Sequence, residues 1–194
     1  MRHAWTSIRM LLLTALIFGL IYPLVMTGIS QVVFHGRANG SLVKVDGKVV
    51  GSKLIGQNFT AAKYFQPRPS AAGNGYDAMD SSFSNLGPTN AKLAQRVQAS
   101  VQQDIAADTG LRFGQVPIDM VTTSASGLDP DITVANARVQ APRVAAARGM
   151  SRSAVLALVS KYTTGRQFGF LGETHVNVLE LNLALDAVQG VKGP

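Results

Sequence analysis

Ser126, His175 and either Asp129 or Asp131 are the side-chain types of a nucleophile, a general base and an orienting carboxylate. His3 and His35 flank an apolar run, so His175 is the one histidine placed for such work. Ser124 occupies the first glycine position of the strained G-x-S-x-G turn that presents a serine nucleophile. A membrane-tethered hydrolase using Ser126 and His175 is therefore the alternative reading, and satisfied polar loop residues the simpler one. Asp129-Pro130-Asp131 offers two carboxylates to a hard cation, which wants six or more oxygens, so no metal ligand is assigned. Asp129 is expected to fix the turn at Pro130 or to cap the helix that follows. Arg143 and Arg148 have the chemistry to pair with Asp129 or with a partner's carboxylate or phosphate, and a solvated helix face is their simpler placement.

Other motifs fail on context. Ser41 and Lys44 match S-x-x-K, but they enter a hairpin, where residues three apart point to opposite faces. Gly73, Gly75 and Ala78 satisfy the loose dinucleotide pattern, yet a Pro-rich loop precedes them where a strand is required. No G-x-x-x-x-G-K-[ST] occurs, so the chain is not a P-loop ATPase. No catalytic residue is assigned, and no nucleotide-binding residue is identified.

The elements that must hold these residues begin with residues 10–34, which carry no charge between Arg9 and Arg37. A helix rises about 1.5 Å per residue and the hydrocarbon core is about 30 Å thick, so this run is long enough to span a bilayer. Arg2 and Arg9 precede it, which predicts a cytoplasmic N-terminus (1–9), a span (10–34) and a soluble periplasmic domain (35–194). Gly28-Ile29-Ser30 resembles a signal-peptidase site. The long apolar run, resuming at Val32, Val33 and Phe34, favours retention. Within the span, Ala15 and Gly19 permit close helix approach, and Tyr22-Pro23 predicts a kink whose freed carbonyl is better placed against protein than lipid.

Composition narrows the remainder. Without Arg2 and Arg9, sixteen basic side chains face eleven acidic ones, with no basic run and few aromatics. Nucleic-acid binding has little support, whereas attraction to anionic headgroups suffices. There is no cysteine, hence no disulfide and no thiolate metal site. The residues after the span suffice for one domain with its own core.

In that domain, residues 42–45 and 48–51 flank Asp46-Gly47 and predict a β-hairpin. An extended piece covers 54–59, and 66–88 is a Pro-, Ser-, Asn- and Gly-rich loop. Leu93, Val97, Val101 and Ile105 predict an amphipathic helix capped by Thr89 or Asn90, ending before Gly110 and covering a sheet. Residues 119–123 read as a strand and 124–130 as a loop. Helices follow at 134–147, broken at Pro142, and at 152–161, capped by Ser151. At 176–186, Leu179, Leu181, Leu183 and Leu185 alternate with polar or small residues and favour a strand, although Val178, Leu181, Leu185 and Val188 also fit one helix face. The predicted class is a single N-terminal transmembrane helix plus one mixed α/β (α+β) extracytoplasmic domain.

Blocks along the chain carry a resemblance: Leu20-Ile21-Tyr22-Pro23-Leu24 with Thr27-Gly28, Ala38-Asn39-Gly40-Ser41-Leu42, Leu54-Ile55-Gly56-Gln57, and Tyr64-Phe65 with Arg68-Pro69-Ser70-Ala71. Further blocks are Ser84-Asn85-Leu86-Gly87-Pro88, Ser126-Gly127-Leu128-Asp129-Pro130, Arg143-Val144-Ala145 with Ala147-Arg148, and Gly169-Phe170-Leu171-Gly172-Glu173 through Asn177-Val178-Leu179-Glu180-Leu181-Asn182. In this order they resemble the KdpC family, the C subunits of bacterial high-affinity potassium-transporting P-type ATPases. The pattern departs at Asp131, where the family often has histidine, and at Gln66-Pro67 and Thr174-His175, so no imidazole role is carried to position 131.

The resemblance implies a non-catalytic inner-membrane subunit assembled with a potassium-channel-like subunit, a P-type ATP-hydrolysing subunit and a small single-helix subunit. It also implies a catalytic chaperone that raises the pump subunit's affinity for ATP. ATP is cytoplasmic, whereas the charge pattern puts the large domain across the membrane, which argues for coupling without direct nucleotide contact. The expected partner contacts are Ala15, Gly19, Tyr22 and Pro23 in the span and Ser126, Gly127, Asp129, Arg143 and Arg148 in the domain.

Overall fold

The computed structural model describes residues 2–107 and 111–190, in two units that divide between Leu42 and Val43. The first is helical: α1 (Arg2–Leu16), a π-helical turn (Ile17–Ile21), α2 (Tyr22–Val33) and a short α3 (His35–Ala38). The run from Arg2 to Val33 is apolar and long enough to cross a membrane, and none of its residues is buried. The irregularity expected at Pro23 takes the form of that π-turn. Pro23 has no N–H for the Gly19 carbonyl and its ring crowds that carbonyl. Just before it, the Tyr22 N–H reaches five residues back to the Ile17 oxygen.

The second unit opens with the expected hairpin, β1 (Leu42–Val45) paired with β2 (Lys48–Ser52). Asp46 (φ 50°) and Gly47 (φ 79°) are both left-handed, as a two-residue turn of this kind requires. Residues 53–90 contain neither helix nor strand. Then follow α4 (Ala91–Ala107), α5 (Ile118–Val121), β3 (Asp131–Thr133), α6 (Val134–Arg148), α7 (Arg152–Lys161), β4 (Thr163–Thr164), β5 (His175–Asn177) and α8 (Val178–Val188).

β5 lies between β3 and β4, antiparallel to both, with Ile132 opposite Val176 and Thr163 opposite Val176. Ile132 and Val176 point into the core, where α6, α7 and α8 supply Ala137, Ala141, Val144, Val155, Val159, Leu181 and Leu185, and Phe65 comes from the long loop. The mixed helix-and-sheet domain expected from the sequence is present.

Four local expectations are corrected. Residues 176–186 are mostly helix: Asn177 accepts from the Glu180 N–H at 3.1 Å and starts α8, which buries Val178, Leu179, Leu181, Asn182, Leu185 and Asp186 on one face. Residues 119–123 are not a strand, because Pro117 starts α5 and the Asp119 carboxylate is drawn to the start of α6. Pro142 does not break α6, whose buried positions 137, 141, 144, 145 and 148 lock it against the core on both sides of the proline. α4 starts at Asn90 as expected, but it buries no residue and packs on α5 instead of covering a sheet. Gly110, its expected end, lies outside the described residues.

Candidate partner-contact site

The two loops singled out in the sequence meet. Ser70 Oγ donates to the Gly127 carbonyl at 2.6 Å, Ser81 Oγ to the Ser126 carbonyl at 2.9 Å, and the Gly56 N–H to the Leu128 carbonyl at 2.8 Å. Arg68 Nη1 lies 2.9 Å from Asp129 Oδ2, and Arg68 Nε donates to the Thr122 carbonyl at 3.4 Å. The Tyr76 hydroxyl closes the arrangement on the Arg68 carbonyl, and burial beside Asp129 raises its pKa. Residues 66–82 and 126–131 therefore form one hydrogen-bonded surface.

Gly127 is buried at φ 68°, and a Cβ there would stand 2.8 Å from the Ala72 amide and from the Ser82 carbonyl. Only glycine fits both the left-handed backbone and this close approach. Asp129 Oδ1 accepts the Asp131 N–H at 3.0 Å, so Asp129 does fix the turn at Pro130. The cap of α6 is instead Thr133, whose Oγ1 accepts the Asn136 N–H at 3.1 Å. A cleft of about 390 Å³ opens beside this surface, lined by Arg68, Tyr76, Gln103 and Gln140 among others.

Ser126 and His175 are each engaged locally. Ser126 Oγ accepts the Leu128 N–H at 3.0 Å. His175 Nδ1 lies 2.9 Å from the Glu173 carbonyl, which makes that nitrogen the protonated donor, and Nε2 lies 3.8 Å from Asp131 Oδ2. Among the described residues no hydrogen bond joins Ser126 to His175. Burial pushes the Asp131 pKa up, with Asp129 and Glu180 adding to the rise and His175 and Asn177 opposing it.

The arginines do not sit on a solvated helix face. Arg143 donates to the Ala62 carbonyl (2.7 Å), the Tyr64 carbonyl (3.2 Å) and Gln140 Oε1 (2.6 Å). Arg148 is buried: Nη2 pairs with Asp186 Oδ1 at 2.8 Å, Nε donates to the Lys63 carbonyl at 2.6 Å, and the guanidinium lies over the Tyr64 ring. Its charge is consumed within the domain. In the apolar helical run, Ala15, Gly19, Tyr22 and Pro23 are all exposed, and nothing approaches within 4 Å of a Cβ placed at Gly19.

Two polar clusters had no clear sequence signal. Asp119 binds the Thr133 amide, the Thr133 hydroxyl and Asn136 Nδ2 at 2.8, 3.0 and 3.0 Å. Asn182 grips the Phe65 peptide, accepting its N–H at 2.8 Å and donating to its carbonyl at 2.9 Å. Only the occurrence of amides and a carboxylate at otherwise apolar helix positions hinted at them.

The chain thus combines one apolar helix, long enough to cross a membrane, with a small mixed α/β domain in which Ser126 and His175 are not hydrogen-bonded to each other. The family described as "K+-transporting ATPase, c chain" matches residues 4–187. The potassium-transporting ATPase KdpC subunit of Koribacter versatilis is 53% identical over 190 residues, covering 97% of this chain and 96% of that one. The KdpC subunits of Acidobacterium capsulatum and Mycobacterium bovis are each 54% identical, over 186 and 190 residues, with 96% and 95% of this chain and 98% of each relative covered. The chain belongs to the KdpC family and is an accessory subunit of a potassium-transporting ATPase.

Proposed function

We propose that this subunit holds the potassium-uptake complex together and acts as a catalytic chaperone, raising the affinity of the ATP-hydrolysing P-type subunit for ATP through indirect coupling. Its other partners in this reading are a potassium-channel-like subunit and a small single-helix subunit. Residues 1–9 are cytoplasmic, the span lies in the bacterial inner membrane, and the domain from residue 35 onward is periplasmic, near the potassium entrance.

The observation that carries this reading is the charge-free helix with Arg2 and Arg9 at its N-terminal end, since a basic flank stays in the cytoplasm. A domain on the side opposite ATP must act by contacting the pump differently in its two states. The span positions Ala15, Gly19, Tyr22 and Pro23 make the membrane contacts. The joined loops, with Ser126, Asp129 and the nearby Arg143, offer the outer ones. Gly127 and Arg148 act on those contacts from inside the domain.

The test is potassium-stimulated ATP hydrolysis by the reconstituted complex with and without this subunit, across ATP concentrations. Omission raises the KM for ATP, and an unchanged KM contradicts the chaperone role. Ser126→Ala and His175→Ala leave activity of the assembled complex largely intact, because the Ser126 hydroxyl serves its own loop at the Leu128 N–H, whereas abolition without loss of assembly supports the hydrolase instead.

A further inference from the structure

A second cleft, of about 480 Å³, is lined from α6, α7 and β4 and shares no residue with the one beside the joined loops. Val134 and Leu156, half-buried, and Val159, buried, give it an apolar floor continuous with the core. Arg138, Arg152 and Ser160 line it from exposed positions. No carboxylate answers the two charges. α6, α7 and β4 contain no acidic residue, and among the described residues neither arginine has an ion pair or a side-chain hydrogen bond. The other arginines of α6 differ, since Arg143 and Arg148 are spent on backbone carbonyls and on Asp186. Two guanidinium groups sharing one cleft repel each other, and an anion between them relieves the repulsion.

We propose that this cleft binds an anionic phospholipid, with its phosphate held by Arg138 and Arg152 and a stretch of its hydrocarbon laid on Val134, Leu156 and Val159. Guanidinium forks match phosphate oxygens, and the volume is that of a ligand pocket. A free inorganic anion leaves the apolar floor uncovered. Phospholipid is the amphiphilic anion at hand for a chain whose apolar helix is long enough to cross a membrane, so the source of the ligand rests on the membrane-subunit reading above. Just beyond Gly165, which also lines the cleft, the tight turn at 167–171 leaves Phe168 and Phe170 87% and 71% exposed, a further apolar contact for acyl chains.

The experiment purifies the full chain in a non-ionic detergent, offers it equal amounts of phosphatidylglycerol and phosphatidylcholine, and counts the retained lipids by native mass spectrometry. The wild type prefers phosphatidylglycerol. Arg138→Gln and Arg152→Gln each lower that preference roughly fivefold, the worth of one basic residue against an anionic headgroup. Both side chains are exposed, so these changes leave the fold intact. Ser160→Glu keeps both arginines, adds a carboxylate to the cleft and lowers the preference too. Lys92→Gln, which removes an exposed charge on α4, leaves it unchanged and separates the cleft from general attraction to a basic chain. An unchanged preference in both arginine variants overturns the proposal. So does competition by glycerol phosphate as effective as that by phosphatidylglycerol, because the anion alone then suffices. The chain has no cysteine, so Ser160→Cys supplies a unique thiol, which stays open to a maleimide in the assembled complex stripped of phosphatidylglycerol. Shielding of that thiol by the other subunits assigns the cleft to a protein and also overturns the proposal. A wild-type chain that stays in solution without detergent overturns the membrane reading instead.

Discussion

Arg148 and Asp186 are 38 positions apart and form an ion pair of 2.8 Å whose side chains are each only 2% exposed. The Tyr64 hydroxyl donates to the other carboxylate oxygen at 3.0 Å, and Gln189 Oε1 accepts from Arg148 Nη1 at 3.0 Å. The node ties α6 to α8 and to the start of the long loop. Removing one partner strands the other charge. Arg148→Ala or Asp186→Ala should cost about 3–5 kcal/mol, and Arg148→Met combined with Asp186→Leu should cost less than either. Urea unfolding of the four proteins checks this, and a double variant worse than both singles contradicts it. Tyr64→Phe, which removes one hydrogen bond, should cost about 1 kcal/mol.

Gly127→Ala forces an L-residue to φ 68° and puts a methyl 2.8 Å from backbone atoms of two residues. The left-handed backbone costs about 1–2 kcal/mol and the overlap about 1–3 more. The expected result is a lower unfolding midpoint and easier proteolysis of the joined loops. Wild-type stability for Gly127→Ala means the two loops are not held together at this point.

Asp119 serves three donors at the start of α6, where a carboxylate also favours the helix dipole. Asp119→Ala leaves those donors short of a partner in a buried setting and should cost about 3 kcal/mol, with Asp119→Asn intermediate because it keeps one acceptor. Chemical denaturation of both variants measures the order.

Asp131 gives a pH dependence of defined sign. Its folded pKa lies above the ordinary carboxyl value of 3.8, chiefly through burial, so the folded state holds the proton more tightly than the unfolded chain. Its contribution to stability is therefore greatest at low pH and falls as pH rises from about 3.8 through the raised folded value. Asp131→Asn removes this loss while keeping an acceptor for Asn177. The variant should be the more stable one near neutrality, with the gap closing toward pH 3. A gap that widens on acidification contradicts the assignment.

The sequence made the long apolar helix, the hairpin at Asp46-Gly47, the helix capped by Ser151 and the family legible, because each rests on local pattern or ordered motifs. The tail misled because alternating leucines fit a strand as well as a helix. The Asn177-to-Glu180 cap and the face formed by Val178, Leu181 and Leu185 decided it, and only packing shows which pattern wins. Arg148 misled for a related reason: a charged residue on a helix reads as solvated until its partner, 38 positions away, is known. The meeting of residues 66–82 with 126–131 had no sequence signal, since glycines and serines in loops do not announce their partners.

The proposed function requires the domain to act from the side of the membrane opposite ATP. The most direct measurement is protease protection of residues 43–190 in sealed inside-out and right-side-out vesicles carrying the assembled complex. A periplasmic domain is digested in right-side-out vesicles and protected in inside-out ones. Digestion in inside-out vesicles places the domain with ATP and contradicts indirect coupling.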